Sequence, residues 1–433
     1  MHATLTLGIF ATVFTLIYQD KFNRLHIMVA GSACILLVGL ITGGYTPLMA
    51  LKSIYFDTLA LIFGMSMISA VLAKSGLFAY IAERAISYSR GSGWVVVILL
   101  ILLTYLFSLM ANNLAAMVVM LPLSLTLCSR MGINPIPLLI SEIIASNLGG
   151  ASTMIGDFPN MIISGAASLG FLDFIGGMMV PTLILLAALL LLMQHRKSEF
   201  TSPHRSLATT DNSAPTIINA YLFKLGISTL VIVLILFIVS GYIGLAPAYI
   251  SLVAGIILIE LGTLQRKELL IASGARDILF FSCLFIMVGG LNAAGILEMI
   301  TSFISSVGGG NKLLSILLLM WISAILTLFL NAGPTTALFI PVAMSLSASF
   351  NDITVWWALS LGVLAGSSGS LTGATAGSLV SSHLKNFNSL NSPSGQTLNH
   401  HNGLSFKEYL HWGLPVMGIF LGISTLYLIL TLY

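Results

Sequence analysis

The stretch NLGGASTMIGDFPN, residues 147–160, decides the fold of this 433-residue chain. It contains three glycines, one proline, two hydroxyl side chains, two asparagines and an aspartate. Strongly apolar sequence lies on both sides, so polar and helix-breaking residues interrupt what would otherwise be a hydrophobic helix. The composition of the whole chain indicates whether water or lipid surrounds this interruption.

That composition is typical of a polytopic membrane protein. Hydrophobic residues make up 57% of the chain and charged residues only 7%, too few charges to cover the surface of a soluble domain of this size. The net charge of +3 is small and dispersed, which argues against a nucleic-acid partner. The three cysteines stand singly in apolar stretches, without the spacing of a disulfide framework or a metal site. We therefore expect a lipid-embedded protein with no bound cofactor.

Apolar runs near the length that a bilayer core requires predict the membrane spans. Two longer stretches, 93–130 and 313–350, are broken in the middle by MANNLA (110–115) and LNAGPTT (330–336). Unpaired backbone at membrane depth is tolerable only when it is buried in protein or lines a cavity. We predict re-entrant hairpins there, and ten spans near 3–18, 27–43, 55–73, 137–169 (interrupted), 174–193, 218–240, 248–264, 277–294, 354–382 (interrupted) and 411–432.

Basic residues predict the orientation of these spans. Fifteen of the seventeen Lys and Arg residues fall in one set of loops, and only Lys52 and Lys312 fall in the other set. The basic loops belong in the cytoplasm, so both termini lie outside the plasma (bacterial inner) membrane. The polar segment 194–217 is a cytoplasmic linker between two halves, 1–193 and 218–433. The segment 386–409 is a flexible cytoplasmic loop, in which His400 and His401 are solvated.

The two halves repeat one sequence pattern. An odd number of crossings precedes the second copy, so it is inverted relative to the first, which is the architecture of secondary transporters with a site at the repeat interface. The fold class is an all-α membrane protein of two inverted repeats, each with three spans, a hairpin, a broken span and a full span. The matching positions are Asp57 and Asp277, Lys74 and Ala293, Asn112 and Asn331, Pro122 and Pro341, Gly149 and Gly366, and Gly156 and Gly373.

Residues 110–165 carry a family resemblance. The residues ANN before a run ending in LPLSL, followed by EIIASNLGGASTMIGDFPNMIISG, resemble the first half of the ion transporter superfamily. The resemblance is strongest to the branch of arsenite permeases and the melanosomal P protein. Divalent-anion:sodium symporters and a group of sodium/proton antiporters are more distant. The second half departs from the pattern at Thr372, in place of a bulky aliphatic residue, and at Gly377, in place of Asn.

The resemblance implies one binding cluster per half, each built from a hairpin tip and an unwound span. Backbone hydrogen bonding should be interrupted around 149–157 and 366–375. Broken helices expose N–H groups to an anion and oxygens to Na⁺, and Na⁺ is possible at Asn112, Asn113 and Asp157. The clusters are Asn112, Asn113, Ser152, Thr153, Gly156, Asp157 and Asn160 in the first half, and Asn331, Thr335, Thr336, Ser370, Thr372 and Thr375 in the second.

Two acids in the first broken span are candidates for coupling. Asp157 could be a helix N-cap, but an acid at membrane depth is a functional candidate by default. Glu142 is either a second proton carrier or a residue that reaches the cytoplasmic interface, and we prefer the interface position. Asp57 and Asp277 stand at span ends, where helix capping is the expected role.

These observations predict a secondary active transporter of a small ion, driven by Na⁺ or H⁺. The substrate is an inorganic oxyanion such as arsenite or a small carboxylate; sodium/proton exchange and an ion channel remain alternatives. An enzyme is not expected, because no His-Glu-x-x-His motif for zinc occurs. The partners are then the ionic substrate and the bilayer, and a homodimer is possible.

Overall fold

A computed structural model describes residues 2–19, 22–87, 92–200, 219–262, 274–391 and 404–432, and every regular element in these ranges is helical. The first half contains α1 (His2–Tyr18), α2 (Arg24–Thr42), α3 (Pro47–Lys52), α4 (Phe56–Ser75), α5 (Leu77–Ser87), α6 (Gly93–Met110), α7 (Asn113–Met131), α8 (Pro135–Ala151), α9 (Phe158–Ala167), α10 (Phe171–Phe174) and α11 (Val180–His195). The second contains α12 (Ala220–Ile243), α13 (Pro247–Leu261), α14 (Ala275–Ala293), α15 (Ile296–Val307), α16 (Lys312–Leu330), α17 (Ala332–Phe350), α18 (Thr354–Gly369), α19 (Gly377–Asn391) and α20 (Phe406–Leu432).

Each predicted span coincides with one helix or, at the two breaks, with a pair of helices, and the ends agree within about five residues except in α19, which extends to Asn391. Within the described ranges, ten helices are long and apolar enough to cross a bilayer, and they include both helices of each predicted hairpin. A π-helical turn, Ile175–Met179, joins α10 to α11 into one long helix. The length of these helices does not distinguish a re-entrant hairpin from two full spans. The packing of the hairpin tips does distinguish them.

The first hairpin stops at the break of the neighbouring span. The backbone N–H of Asn113, at the start of α7, donates to the carbonyl of Gly156 over 3.0 Å. Beyond that point α9 continues the broken span for ten residues, about 15 Å of helix, and packs against α4 and α17. The tip of the hairpin therefore lies inside the protein, as a re-entrant hairpin requires.

The breaks are shorter than the sequence predicted. Helix α8 continues through Gly149 and Gly150 to Ala151, and α18 continues through Gly366 to Gly369. These glycines serve close helix crossing instead of unwinding. A Cβ on Gly149 would lie 2.2 Å from the Tyr105 carbonyl of α6, and one on Gly366 would lie 2.2 Å from the Ala324 carbonyl of α16. The unwound residues are 152–157 and 370–376.

Each repeat packs several of its helices against helices of the other repeat. Helix α4 packs against α12 and α13, while its counterpart α14 packs against α1 and α2. In the same way α9 packs against the second hairpin and α19 packs against the first. The α4–α13 crossing is close because Gly64 has no side chain: a Cβ there would lie 2.0 Å from the Ser251 carbonyl. The two broken spans also contact each other, because α18 packs against both α8 and α9.

Two short amphipathic helices, α5 and α15, lie between the predicted spans and were not predicted from the sequence. Helix α5 buries Leu77, Phe78 and Ala82, and α15 buries Leu297 and Ile304. Each follows a glycine with positive φ, Gly76 at 82° and Gly295 at 75°. These glycines occupy equivalent places in the aligned motifs, so the repeat extends to the helices that precede the hairpins.

The start of the predicted linker is docked against the helices. Phe200 is buried between the rings of Trp94 and Trp412, at centroid distances of 6.0 and 5.7 Å. Arg196 lies over the Trp412 ring at 4.1 Å. The remaining linker residues, 201–218, are outside the described part of the chain, as are His400 and His401; the domain boundaries remain a prediction. The loop predicted at 386–409 is partly helical, since α19 extends to Asn391.

Candidate functional site

The site forms where the two broken spans meet. The Asn160 Oδ1 accepts a hydrogen bond from the Ser360 hydroxyl of α18 over 2.7 Å. One and a half turns before the first break, the Asn147 Nδ2 donates to the Ser367 carbonyl of α18 over 3.3 Å. Asn147, Ser360 and Ser367 are buried, so these bonds join the repeats away from water. The sequence analysis placed Asn160 in the site and did not assign the other three.

The first hairpin tip presents two asparagines in different roles. Asn112 is the N-cap of α7, and its Oδ1 accepts from the Ala115 N–H over 3.1 Å. Its own N–H donates to the Ser69 hydroxyl of α4. The Asn113 side chain is 1% exposed, and its Oδ1 has no hydrogen-bond partner within the described protein. A buried amide oxygen without a donor is costly, so Asn113 offers a free ligand.

Across from this tip, Asp157 and Asn160 order the start of α9. Asp157 is the N-cap, and its Oδ1 accepts from the Asn160 N–H over 3.1 Å. The Asn160 Nδ2 donates to the carbonyls of Ala151 and Thr153, both at 2.9 Å. Asn160 therefore holds the break together, whereas one carboxylate oxygen of Asp157 is left for another ligand. Asp157 is both a cap and a buried acid, 7% exposed.

The hydroxyl groups of the first break serve packing more than binding. Ser152 was predicted as a ligand, but its Oγ bonds to Thr182, to Tyr105 and to the Leu148 carbonyl at 2.7, 2.9 and 2.8 Å. These partners turn Ser152 towards α6 and α11. The Thr153 hydroxyl donates to the Leu109 carbonyl at the end of α6. Gly156 contributes its carbonyl to the hairpin tip.

The second hairpin tip repeats the backbone contact of the first. The Ala332 N–H donates to the Gly373 carbonyl over 3.2 Å, at the positions aligned with Asn113 and Gly156. The side chain of Asn331 differs from that of Asn112: its Nδ2 donates to the Thr372 carbonyl over 3.0 Å. Asn331 reaches that carbonyl with a φ of 76°, a left-handed conformation uncommon for residues other than glycine.

The hydroxyl groups of the second cluster are mostly bonded to nearby carbonyls. Ser370 and Thr372 both donate to the Leu328 carbonyl, at 2.8 and 2.9 Å. Ser370 is aligned with Thr153, whose acceptor Leu109 is aligned with Leu328. Thr335 and Thr336 donate one turn back within α17, to Asn331 and Ala332. Thr375 is half-buried in the same break.

The clusters differ in how their helices begin. In the first repeat, side-chain oxygens of Asn112 and Asp157 cap α7 and α9. In the second repeat, Asn331 makes no side-chain cap to α17, and Ala374 stands at the position of Asp157. An uncapped helix start keeps its partial positive charge available to an anion. The first cluster therefore contains capping oxygens and a carboxylate that the second cluster lacks.

Glu142 does not lie at the cytoplasmic interface, so the preferred position was wrong. The side chain is fully buried between α6 and α7, because the helix face that carries it points into the first hairpin. The Ser124 hydroxyl donates to Oε1 over 2.6 Å, and Oε2 has no partner within the described protein. Its sequence position, one to two turns into α8, did not show which face of the helix it occupied.

No group of three His, Cys, Asp or Glu side chains that could hold a metal ion occurs within the described ranges. Asp57 and Asp277 lie in the first turns of α4 and α14, as expected for span ends. The polar groups available as ion ligands in the two clusters are hydroxyl groups, amides, carbonyls and a single carboxylate. Such a set suits a monovalent cation and a small anion rather than a transition metal.

Comparisons with known proteins agree with this fold. The model of a citrate transporter family, CitMHS, matches residues 14–362. The magnetosome protein MamN of Magnetospirillum gryphiswaldense is 41% identical, with 99% of each chain covered. The human P protein is 25% identical over 99% of this chain and 60% of its own. The crystal structure of the Alcanivorax borkumensis YdaH transporter is similar in fold, with a TM-score of 0.58, 15% identity, and 88% and 86% of the chains covered. The resemblance to the ion transporter superfamily is confirmed.

Proposed function

The chain belongs to the CitMHS family of citrate transporters, and from this premise we propose that it couples a small anion in the second repeat to Na⁺ in the first. The chain is an integral membrane transporter, since its family is one of transporters and ten of its described helices can span a bilayer. The substrate, the coupling ion and the orientation are the proposed part. The plasma membrane, with both termini outside, is the proposed location, and a homodimer is a further possibility.

The cation is assigned to the first repeat by its oxygen ligands. The Asn113 Oδ1 is buried and has no partner within the described protein, and the Asn113 N–H bonds to the carbonyl of Gly156, the residue before Asp157. Unwound carbonyls and side-chain oxygens of this kind coordinate Na⁺ in transporters with broken helices. A cation would compensate the buried carboxylate, which is otherwise costly in a dry interior.

The anion is assigned to the second repeat, and the missing cap on α17 carries this assignment. The helix start is not neutralised by a side chain, and an acid is missing where the first repeat has Asp157. A helix N-terminus of this kind faces the anionic substrate group in transporters with discontinuous helices. No Lys or Arg stands in either tip or break, which favours a small anion over a large polyanion. A small carboxylate such as citrate and an inorganic oxyanion such as arsenite both fit.

Sodium/proton exchange is the second candidate. The observation that favours it is that both buried acids, Asp157 and Glu142, belong to the first repeat, and neither forms an ion pair in the described structure. In that case Asp157 would bind Na⁺ and H⁺ in alternation, and the second repeat would hold no anion. Anion movement coupled to Na⁺ distinguishes the two candidates, because sodium/proton exchange involves no anion.

Uptake into proteoliposomes tests the proposal. Purified protein is reconstituted, and the accumulation of radiolabelled citrate and of arsenite is followed under an imposed Na⁺ gradient or pH gradient. We expect Na⁺-dependent accumulation of one anion above its equilibrium level. Downhill flux without dependence on either gradient would indicate a channel. Na⁺-driven alkalinisation of the lumen with no anion movement would indicate the antiporter.

A further inference from the structure

A buried acid outside both clusters has no role in the site described above. Glu142 lies about 15 Å along α8 from the first break, ten residues before Ser152. Its carboxyl group is enclosed by α6, α7 and α8 and is fully buried. Apart from Arg130 at the exposed end of α7, these three helices contain no Lys or Arg. Among the residues that the structure describes, the carboxyl group therefore has no cationic partner to stabilise its ionised form.

Hydrogen bonding around Glu142 is incomplete. Ser124 supplies one bond to Oε1. The Thr104 hydroxyl lies 3.4 Å from the same oxygen, but its single proton is better placed on the Leu100 carbonyl at 2.8 Å. Oε2 has no partner within the described protein. An unpaired carboxylate in such surroundings is very unfavourable, whereas the neutral acid is tolerated.

The other titratable groups near α8 do not compensate Glu142. Cys128, one turn after Ser124 on α7, is buried and carries no positive charge. Tyr105 of α6 is engaged with Ser152, and Tyr409 of α20 is buried with an unpartnered hydroxyl. Tyr427 of α20 donates to the Gly177 carbonyl. The remaining charged or titratable side chains on the helices packed against α8 lie at exposed or partly exposed helix ends: Arg130, His195, Lys407, Glu408 and His411.

A polar seam, formed by Thr104 and Ser108 of α6 and Glu142 and Ser146 of α8, lines the interface between Glu142 and the first cluster. Thr104 and Ser108 are one turn apart on α6, and Glu142 and Ser146 are one turn apart on the facing side of α8. The Ser108 hydroxyl donates to the Ser146 carbonyl over 2.6 Å. Seven residues after Ser146, in the break, Thr153 bonds to the end of α6 at Leu109. The seam thus runs along the α6–α8 interface from the acid to the break.

The second repeat keeps one side of this seam and lacks the acid. Ser323 and Thr327 of α16 are aligned with Thr104 and Ser108, but Leu359 and Val363 of α18 replace Glu142 and Ser146. Ala343 stands where Ser124 supports the carboxyl group. The acid and its donor are therefore present together in the first repeat and absent together from the second. Packing alone needs neither, since the second repeat packs the same helices without them.

We propose that Glu142, in the pocket formed by Thr104, Ser124 and Cys128, is a proton-binding site that exchanges protons with the first cluster through the α6–α8 seam. The Oε2 takes up the proton when the site loads and releases it when the site empties, with no other bond made or broken. This inference rests on the proposed transport function for its purpose, but the protonation itself can be measured without transport.

Infrared difference spectroscopy of the purified protein tests the protonation. As the pH is stepped across the neutral range, we expect a carboxylic-acid C=O band that appears and disappears reversibly. The band should be lost in Glu142→Gln, which keeps the shape and the bond from Ser124, and retained in Asp157→Asn. Ser124→Ala should shift the band to higher frequency without removing it, because one hydrogen bond to the carboxyl group is lost. A band unchanged in Glu142→Gln, or one that does not titrate while the protein is folded, would overturn the proposal.

Proton flux gives a second arm. In proteoliposomes loaded with a pH-sensitive dye, Glu142→Gln should slow gradient-driven proton movement at least tenfold, and Glu142→Asp, which keeps the acid, should retain part of it. Equal flux in wild-type protein and Glu142→Gln would contradict a role in proton movement. If wild-type protein moves neither citrate nor arsenite, the proposed function fails, while the infrared result still decides whether Glu142 binds a proton.

Discussion

The two repeats share a backbone and differ in chemistry. In each, a hairpin tip donates a backbone N–H to a glycine carbonyl in the adjacent break: Asn113 to Gly156 and Ala332 to Gly373. The first repeat adds a capping acid, a buried amide oxygen without a partner and a second buried acid. The second replaces them with Ala374, Ala332 and Leu359. One framework can thus present a cation site and an anion site, with the difference confined to a few side chains.

The largest effect should come from removing the single acid of the breaks. Asp157→Asn keeps the shape of the side chain and the cap on α9 but removes the charge that a bound Na⁺ would balance. We expect Na⁺-driven accumulation of citrate or arsenite to fall at least tenfold, equivalent to about 1.4 kcal/mol, with the protein still folded and inserted. Asp57→Asn is the matched control, because Asp57 is exposed in the first turn of α4. Unchanged Na⁺ dependence in Asp157→Asn would leave Asp157 as a helix cap only.

A smaller effect should follow from removing the free amide oxygen. Asn113→Ala deletes the unpartnered Oδ1 and introduces the residue that the second repeat has at this position. The concentration of Na⁺ at half-maximal uptake should rise severalfold, while the KM for the anion at saturating Na⁺ changes little. An equal change in both constants would show that the two sites are not separated between the repeats.

The glycines at the two contacts should differ in their tolerance to a methyl group. A Cβ at Gly156 would lie 2.5 Å from both the Gly150 Cα and the Ser108 carbonyl, whereas a Cβ at Gly373 would meet its nearest backbone atom, the Thr327 carbonyl, at 2.8 Å. Overpacking of this kind costs about 1–3 kcal/mol, so Gly156→Ala should lower the melting temperature more than Gly373→Ala. Gly241→Ala, in α12 with open space around it, is the control and should not lower the melting temperature, because Ala favours the helix more than Gly does. The reverse order would mean that the second break is the more rigid of the two.

The smallest effect concerns an ion pair that only the second repeat has. Lys312, at the start of α16, pairs with Asp352 in the loop after α17. Burial raises the pKa of Asp352, but hydrogen bonds from Lys312 and Thr354 and the charge of Lys312 outweigh it, so the net pKa is lowered. The pair therefore stabilises the protein above the ordinary Asp pKa of about 3.9, and this stabilisation is lost as the pH falls through the lowered value.

Lys312 is partly exposed, so the pair should contribute less than about 1 kcal/mol. Asp352→Asn should lower the melting temperature slightly at neutral pH, and the difference from wild type should vanish in acid. Melting curves in detergent at several pH values measure this. A difference that persists in strong acid would show that packing of Asp352, and not its charge, is responsible.

Much of this architecture is encoded in local sequence. Apolar runs, the interrupted stretches and the aligned asparagines and glycines predicted the spans, the hairpins and the equivalence of Asn112 with Asn331. Short helices outside the membrane spans were harder to predict from the sequence. Residues 77–87 form a helix whose apolar side chains recur at helical spacing, but the segment is too short and too charged to register as a span. Its order comes from packing against α6 and α7.

The residue types of the site were predicted from the sequence, but the contacts of their side chains were predicted only in part. Ser152 and Asp157 look equally suitable as ligands in the sequence, yet Ser152 is turned away by Tyr105 and Thr182, which are distant in sequence. Glu142 looked peripheral because it lies near the start of α8, and only the packed hairpin shows that it is enclosed. Asn147 was overlooked because its partner, the Ser367 carbonyl, belongs to the other repeat.

Direct binding measurements test whether Na⁺ binds in the first repeat and the anion binds in the second. Purified protein is titrated with radiolabelled Na⁺ and, separately, with radiolabelled citrate and arsenite, as wild type, as Asp157→Asn and as Ala374→Asp, which places an acid in the second break. The account predicts that Asp157→Asn loses Na⁺ binding and that Ala374→Asp loses anion binding while keeping Na⁺ binding. If Ala374→Asp binds the anion as wild type does, or loses Na⁺ instead, the anion does not bind in the second repeat.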